Sequence, residues 1–256
     1  MFNLLKNLSK SFVHSPFAHR GYHDCNGSFK KGKGPENSRR SIIHAIQNGL
    51  GVEIDIRFTK DYMPIVIHDD YLKRLCGVDK YLSNTFQRDL SLLKLNNNEN
   101  LPTLEEILSI IDGNTPVLIE FKKLNKTQDL INIKKELYSL LSNYSGPLAL
   151  MSFDMKLLEH FSKRLPNISR GIILEKFDHY RKTFSSNIER IVTEFHMQKN
   201  GISFVSLKYT NLTKDFYVFN KEKNRKVLTW TIKSEFDARR IKKLCDNITF
   251  EGFKPI

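Results

Sequence analysis

Cysteine is scarce in this sequence, and its spacing does not suit cross-linking. The three cysteines, Cys25, Cys76 and Cys245, are odd in number and form no C-x-x-C pair. This pattern predicts neither a disulfide framework nor a zinc site, and it favours a reducing compartment. No apolar run approaches the roughly 18 residues that span a membrane, and the first residues lack the apolar stretch and cleavage site of a signal peptide. We therefore expect a cytoplasmic protein.

Acidic residues are outnumbered by basic ones. The chain has 41 Lys and Arg residues against 28 Asp and Glu residues, which gives a net charge of +13. This excess favours an anionic partner such as a phosphodiester, a nucleic acid or a membrane surface, although lysines that merely solvate the surface would give the same charge. No aromatic RNA-binding motif, zinc finger or helix-turn-helix signature accompanies the charge, so we expect no nucleic-acid partner.

Proline, glycine and serine form no linker, and no repeat is present, so residues 1–256 are predicted to be a single domain. Short apolar runs alternate with longer amphipathic ones, which is typical of a parallel sheet or barrel. Strands are predicted at 17–21, 51–59, 64–69, 116–122, 148–153, 171–174, 204–208, 226–232 and 247–251. Helices are predicted at 36–48, 103–112, 127–143, 155–165, 187–199, 213–220 and 234–244.

Nine strands are one too many for an eight-stranded barrel. The second and third are joined only by residues 60–63, too few for a parallel crossover, so they must form an antiparallel hairpin. The remaining eight predict a (β/α)8 TIM barrel, an α/β fold, over residues 15–255 with a β-hairpin insertion after strand 2. Residues 1–14 are expected to form an N-terminal helix on the barrel; a membrane-surface anchor through Lys6 and Lys10 is the alternative.

Two predicted strands carry paired charges on one face. Because side chains alternate along a strand, Glu53 and Asp55 project together, and so do Glu120 and Lys122. Adjacent carboxylates repel each other unless a cation lies between them, and a hard divalent ion with oxygen ligands meets that need. Ion pairs with neighbouring Lys or Arg are the alternative for both pairs.

Two histidines lie where they could assist proton transfer. The predicted hairpin brings His68 close to Asp55, and His19 ends the first strand beside Arg20. Histidine can act as a general acid or base, and the planar guanidinium of arginine matches a phosphate. Active sites of TIM barrels lie at the C-terminal ends of the strands, where these residues are placed.

Taken together, the motifs resemble those of the glycerophosphodiester phosphodiesterase family, within the phospholipase C-like phosphodiesterases. In family order, these motifs are H-R-G (19–21), P-E-N-S (35–38), E-x-D (53–55), T-K-D (59–61), H-D (68–69) and E-x-K (120–122). Later landmarks are Ser152-Phe153, Trp230-Thr231 and the closing Ile248–Glu251. The resemblance covers about residues 17–255. Two departures are a longer stretch at 22–34, and Glu251 where the family often has aspartate.

The resemblance implies metal-dependent hydrolysis of glycerophosphodiesters to glycerol 3-phosphate and an alcohol. One divalent cation, Ca²⁺ or Mg²⁺, would be held by Glu53, Asp55 and Glu120. His19 and His68 would be the general acid and base, in either order. Arg20 and Lys122 would bind the phosphate, and Trp230 would line the substrate side or belong to the core. Glu36 and Asn37 are expected to cap and orient the first helix rather than contact substrate.

Two other functions remain open at this point. A lysophospholipase D or sphingomyelinase D-like enzyme shares the barrel but needs an apolar entrance, for which Phe29, Phe58 and Tyr62 are candidates. A non-catalytic barrel that binds phosphodiesters would need no pair of histidines. In each case the partner is a small phosphodiester or lipid head group, with peripheral membrane contact as a further alternative.

Overall fold

The computed structural model of the protein describes residue 8 and residues 10–25, 33–124, 127–175 and 184–255. The strands in these ranges are β1 (Phe17–Ala18), β2 (Gly51–Phe58), β3 (Pro64–Val66), β4 (Val117–Phe121), β5 (Leu148–Ser152), β6 (Ser169–Leu174), β7 (Ile202–Lys208), β8 (Lys226–Ile232) and β9 (Asn247–Phe250). The helices are α1 (Ser11–His14), α2 (Arg39–Gln47), α3 (Lys73–Cys76), α4 (Leu104–Ile111), α5 (Lys135–Asn143), α6 (Met155–Arg164), α7 (Phe184–Lys199), α8 (Lys214–Glu222) and α9 (Glu235–Ile241). No helix within these ranges is long and apolar enough to cross a bilayer.

Eight of these strands form a closed parallel barrel. Neighbours follow the order β1, β2, β4, β5, β6, β7, β8 and β9, and β9 pairs with β1 to close the ring. The predicted TIM barrel is therefore confirmed. The remaining strand, β3, pairs antiparallel with the end of β2. The turn between them spans only five residues, which is too short for a parallel connection.

The seam on either side of β1 is the shortest part of the ladder. This strand contributes two residue pairs to β2 and two to β9, whereas β2 and β4 share five. It ends well before the predicted Gly21 because Arg20 and Gly21 have φ angles of 57° and 78°, outside strand geometry. A Cβ at Gly21 would lie 2.5 Å from Ser41 Oγ, so glycine is required there. The chain thus turns immediately after His19.

Alternation of side chains gives the barrel an outer and an inner layer. The outward residues of β2 and β4, such as Val52 and Ile119, are buried under the helices. Inside, Phe17, Phe204 and Leu228 form an apolar floor at the N-terminal end of the barrel. Polar inward side chains are thereby left at the C-terminal end, where the strand residues carry the chemistry.

The N-terminal segment closes the barrel from below, as far as it is described. Leu8 and Phe12 are buried in the floor cluster, and the ring of Phe12 lies 5.6 Å from that of Phe17. Asn247 on β9 donates hydrogen bonds of 2.8 Å to the carbonyl oxygens of Phe12 and Ser15. Residues 1–7 and 9 of the predicted helix lie outside the described residues.

Two segments differ from the predicted elements. Residues 67–101 have their own apolar cluster around α3, built on Leu72, Leu82 and their neighbours. The predicted helix 127–143 is instead a 3-10 helix, Thr127–Asn132, followed by α5. Asn132 and Asp129 bind the hydroxyl of Tyr62 in the hairpin turn, at 3.0 Å each. These contacts hold the first half of the segment against the hairpin.

Candidate active site

Three buried carboxylates meet at the C-terminal end of the barrel. Glu53 and Asp55 project inward from β2, and Glu120 projects from β4, where it is the direct neighbour of Asp55 in the ladder. All three side chains are buried, and each offers an oxygen within 4.8 Å of the other two. Parallel pairing therefore gathers the three acids that the alternation of charged residues predicted.

Two cations neutralise part of this charge. The Nζ of Lys122 lies 2.7 Å from Asp55 Oδ1 and also contacts Glu120 Oε1. Arg20 Nε lies 3.2 Å from Asp55 Oδ2. Burial opposes ionisation of Asp55, but the charges of Lys122 and Arg20 outweigh it and hold its pKa well below the usual range. Of the three acids, Asp55 is thus the one kept firmly ionised.

The other two acids have raised pKa values. Burial, followed by the charge of Asp55, raises the pKa of Glu120 to about 7. Burial, together with Asp55 and Glu120, raises the pKa of Glu53 well above its ordinary value. Because these carboxylates are held close without full compensation, a further positive charge at this point would lower both pKa values.

The donor set fits a hard divalent cation. Glu53 Oε2 accepts a hydrogen bond of 2.9 Å from the backbone N–H of Arg20, but Glu53 Oε1 is buried with no hydrogen-bond partner among the described residues. Buried polar atoms without a partner are rare in proteins. Three carboxylates supply the all-oxygen ligation that Ca²⁺ and Mg²⁺ prefer, and they do not resemble the nitrogen and sulfur sites of zinc.

Within the P-E-N-S segment, Glu36 and Asn37 hold the charged groups of the site, and Ser38 caps the helix. Ser38 is the N-cap of α2, so the prediction that Glu36 and Asn37 cap this helix was wrong. Asn37 donates a hydrogen bond of 2.9 Å to Asp55 Oδ2 and accepts one of 3.2 Å from the Asp55 backbone. Glu36 accepts a hydrogen bond of 2.7 Å from Arg20 Nη1 and two of 2.7 Å from Arg74. These contacts fix Asp55 and the guanidinium of Arg20.

Each predicted histidine has a carboxylate on its Nδ1. His19 donates this N–H to Glu251 Oε2 at 2.7 Å, and His68 donates to Asp69 Oδ1, also at 2.7 Å. Arg74 Nε holds Asp69 from behind at 2.6 Å. A carboxylate on Nδ1 fixes the tautomer and leaves Nε2 to exchange a proton.

The surroundings also shift the pKa values of the two histidines and of Glu251. Burial is the largest influence on each ring and lowers the pKa of His19 and of His68. The bond to His19 lowers the pKa of Glu251 to about 2. Asp69 stands next to His68 in the sequence and could have been foreseen, whereas Glu251 is 232 residues from His19 and has no local signal.

The opposite wall of the site is apolar. One pocket contains His19, Glu53 and Glu120 on one side, with Met151, Ile173 and Trp230 on the other. The indole N–H of Trp230 donates to the Ser206 carbonyl at 3.2 Å. Phe153, which is 47% exposed, meets the indole edge-on with the ring centroids 5.7 Å apart. Trp230 therefore lies at the predicted site, and its ring forms part of the pocket wall.

A second, polar pocket is lined by Lys122, which contacts Glu120 of the first pocket. It lies between the ends of β2 and β4 and the insertion. Its lining includes Arg57, Lys60, Lys123, Asp70, Asp129 and Tyr62. Phe58 and Leu124 also line this pocket, and Tyr62 packs against the outer core, so two of the three residues predicted for an apolar entrance lie among charged side chains in one pocket. Phe29 lies outside the described residues.

All eight predicted site residues lie at this end of the barrel. Comparison with known proteins identifies the fold and the family. The curated glycerophosphodiester phosphodiesterase of Bacillus altitudinis is 25% identical over 181 residues, 65% of this chain and 71% of that protein. A phosphodiesterase of Oleispira antarctica, solved in complex with the product sn-glycerol-3-phosphate, has a TM-score of 0.76 and 23% identity over 94% of each chain. A glycerophosphodiester phosphodiesterase of Parabacteroides distasonis has a TM-score of 0.72 and 21% identity over 91% of each chain.

These solved structures share the fold, and the match that identifies the chain is to a family model. The model of the "Glycerophosphoryl diester phosphodiesterase family" matches residues 19–248, which is most of the chain. The match begins at His19, the first residue of the H-R-G motif. The resemblance predicted from the motifs is thereby confirmed: the chain belongs to the glycerophosphoryl diester phosphodiesterase family and is a phosphoric diester hydrolase.

Proposed function

We propose that this enzyme hydrolyses glycerophosphodiesters to glycerol 3-phosphate and an alcohol with one divalent cation. The observation that carries the proposal is the buried group of Glu53, Asp55 and Glu120, with an unpartnered carboxylate oxygen on Glu53. The glycerol 3-phosphate bound to the related Oleispira phosphodiesterase supports the same choice of product. Ca²⁺ and Mg²⁺ both suit the oxygen ligands.

The acids and cations of the site would divide the work on the phosphate. Glu53, Asp55 and Glu120 would hold the cation, which when bound supplies Lewis acidity toward the phosphoryl oxygens. Arg20 and Lys122 already lie within 3.2 Å of Asp55, at the edge of this group. They would neutralise the phosphate oxygens as negative charge builds in the transition state.

The two histidines would transfer the protons. One would take the proton of the attacking hydroxyl, and the other would protonate the leaving alcohol. Attack by water gives glycerol 3-phosphate directly, whereas attack by the substrate's own glycerol hydroxyl gives a cyclic phosphate that water then opens. Both rings are oriented through Nδ1, and their lowered pKa values keep them neutral at pH 7, the form a general base needs.

A lysophospholipase D-like activity is the second candidate. The exposed Phe153 beside Trp230 favours it, because an acyl chain needs an apolar surface near the reacting phosphate. The polar pocket on the other side of Lys122 favours a hydrophilic alcohol instead. The oriented histidines disfavour a barrel that only binds, since binding needs no fixed tautomer. Three free cysteines support the proposed cytoplasmic location.

The test is release of glycerol 3-phosphate from glycerophosphocholine and glycerophosphoethanolamine, and of choline from lysophosphatidylcholine. The EDTA-treated protein is assayed alone, with Mg²⁺ and with Ca²⁺. We expect release from the glycerophosphodiesters only with a cation. Glu53→Gln should lose it by at least about 10²-fold, whereas the exposed Glu105→Gln on α4 should keep it.

Two outcomes would contradict the proposal. Full activity after removal of the cation would leave Glu53, Asp55 and Glu120 as structural ion pairs. Faster turnover of lysophosphatidylcholine than of either glycerophosphodiester would transfer the assignment to the second candidate. Folding of each variant is checked by circular dichroism before the rates are compared.

A further inference from the structure

A second cluster of metal-binding side chains lies on the far side of His19 from the three carboxylates. His23, Cys25 and Glu251 each offer one ligand atom, and these atoms lie within 4.8 Å of one another. Cys25 Sγ is 4.0 Å from His23 Nδ1. None of the three belongs to the set that holds the proposed Ca²⁺ or Mg²⁺, so this cluster is a separate candidate site.

The donor types point to a different ion. A thiolate, an imidazole and a carboxylate are the ligands that Zn²⁺ takes in proteins. The other site offers only carboxylate oxygens, which suit hard ions. Because the two sites differ in the softness of their ligands, Zn²⁺ would prefer the cluster of His23, Cys25 and Glu251, and Ca²⁺ or Mg²⁺ would prefer the three carboxylates. Both sites lie close to His19.

A second observation supports a ligand at this cluster. His23 Nε2 is buried and has no hydrogen-bond partner among the described residues. Buried ring nitrogens are normally satisfied by protein or water. Cys25, in contrast, is exposed, so an ion in solution can reach its sulfur directly. Cys25 is thus open to solvent, and the histidine beside it has an unsatisfied ring nitrogen.

The cluster joins two segments that are far apart in the sequence. His23 and Cys25 follow the H-R-G motif at 19–21, and Glu251 follows β9 directly. Closure of the barrel between β9 and β1 brings these segments together.

We propose that His23, Cys25 and Glu251 bind one Zn²⁺ and that this binding inhibits the enzyme. Glu251 Oε2 accepts the hydrogen bond from His19 at 2.7 Å, while Oε1 lies 3.5 Å from Lys233 Nζ. A carboxylate that ligates zinc donates electron density to the ion and weakens its hydrogen bond to His19. The effect on turnover rests on the proposed role of His19; the binding of zinc does not.

Binding is tested first, without reference to activity. The protein is saturated with Mg²⁺ and titrated with Co²⁺, whose thiolate complexes show a charge-transfer absorption, and then with Zn²⁺ against a chromophoric chelator. We expect one ion per chain and the thiolate absorption in wild type. Cys25→Ser should lose the absorption and bind zinc at least about 10-fold more weakly, and His23→Gln should weaken zinc binding similarly.

The other two cysteines provide matched controls. Cys76→Ser and Cys245→Ser should keep both the absorption and the affinity, because neither cysteine belongs to the cluster of His23, Cys25 and Glu251. Absorption that persists in Cys25→Ser, or that disappears in Cys245→Ser, would overturn the site. Because this arm measures binding alone, it stands even if the proposed hydrolysis is not found.

Regulation is tested with glycerophosphocholine as substrate at saturating Mg²⁺. One equivalent of Zn²⁺ should slow wild type and Cys76→Ser, each measured against its own zinc-free rate, and should leave Cys25→Ser unaffected. Equal inhibition of Cys25→Ser would mean that zinc acts at the three carboxylates, which would overturn the regulatory proposal. Zinc binding with no inhibition of wild type would overturn it as well.

Discussion

The mouth of this barrel has two unlike halves. The ends of β1, β2 and β4 bring together three acids, two cations and His19. The ends of β5, β6 and β8 present Met151, Ile173 and Trp230 to the same pocket. All of these positions face the axis of one continuous sheet, so the backbone does not distinguish them. The two halves differ in function. The ends of β1, β2 and β4 supply charged groups, and the ends of β5, β6 and β8 supply an apolar wall.

The two halves also depend on each other. Burying an unpaired charge costs several kcal/mol, so the charged half is stable only as a network of mutual partners. The apolar half keeps water away from that network, and charges interact more strongly where the surroundings are less polar. Substitutions in the first half should therefore affect the chemical step, and substitutions in the second should affect how substrate is held.

The largest expected effect comes from the histidines of the charged half. His19→Gln and His68→Gln should each lower kcat by about 10²–10⁴-fold, the usual contribution of a general acid or base. His160→Gln is the matched control, because this histidine lies outside the barrel and binds Tyr138 and Arg164. Steady-state kinetics on glycerophosphocholine measures the change. A variant that keeps a tenth of wild-type kcat would remove that histidine from proton transfer.

Lys122 and Lys123 are neighbours in the chain and line the same polar pocket, but they differ in their contact with the acids. Lys122 contacts Asp55 and Glu120, whereas Lys123 is exposed. Lys122→Met should lower kcat by about 10²–10³-fold, since it removes a charge that stabilises the transition state. Lys123→Met should stay within about 2-fold of wild type, as expected for an exposed residue. If both variants lost activity equally, charge in the polar pocket would matter as much as contact with the acids.

The apolar half should respond through KM. Phe153→Ala removes the edge-on contact with Trp230, and such aromatic pairs are worth about 0.5–1.5 kcal/mol, or roughly 2–10-fold. We expect KM to rise by this factor with kcat unchanged, which marks lost binding common to substrate and transition state. Phe236→Ala, at an exposed aromatic on α9, is the control. A fall in kcat would instead give the apolar wall a part in the chemical step.

An ion pair remote from the mouth should affect stability and leave kcat unchanged. Arg225 is buried and forms two hydrogen bonds of 2.7 Å to Glu194. Glu194→Gln should lower the free energy of unfolding at pH 7 by about 2 kcal/mol, because a buried charge loses its partner. Glu159→Gln breaks an exposed pair with Lys163 and should cost less than about 1 kcal/mol.

The same pair gives a pH dependence of known sign. Burial opposes ionisation of Glu194, but Arg225 outweighs it and lowers the pKa below the ordinary value of 4.5. A group with a lowered folded-state pKa stabilises above its unfolded pKa and loses that contribution as pH falls. In urea unfolding, the gap between wild type and Glu194→Gln should therefore be constant above about pH 5 and narrow below pH 4. A gap that widened on acidification would contradict this origin.

Local patterns in the sequence were enough to predict the barrel and much of the site. Alternation along β2 and β4 placed Glu53 with Asp55 and Glu120 with Lys122, because that geometry depends only on neighbours in the chain. Ends of strands were less well predicted, as at β1, where positive φ angles stop the strand. The helices of the insertion were missed because they are short and depend on their own apolar cluster.

The other contacts of the site join residues that are far apart in the sequence, and local patterns could not predict them. Glu251 orients His19, and Glu36 joins Arg20 to Arg74, yet neither pair has a spacing rule that could reveal it. The spacing of the cysteines likewise predicted no zinc site, since the third donor of the proposed cluster, Glu251, follows the last strand and is far from Cys25 in the sequence. Such partners follow only from the closure of the barrel.

Strand β1 is joined to β2 and to β9 by only two residue pairs each, and this predicts how the enzyme loses activity on heating. Segments with few backbone hydrogen bonds open at a lower cost than the global unfolding free energy. Opening at β1 and β9 would part His19 from Glu251 while the longer ladders of the barrel remain intact. On heating, we expect activity to disappear at a lower temperature than the circular dichroism of the barrel. Substrate that bridges the two strands would then protect activity more than it raises the Tm.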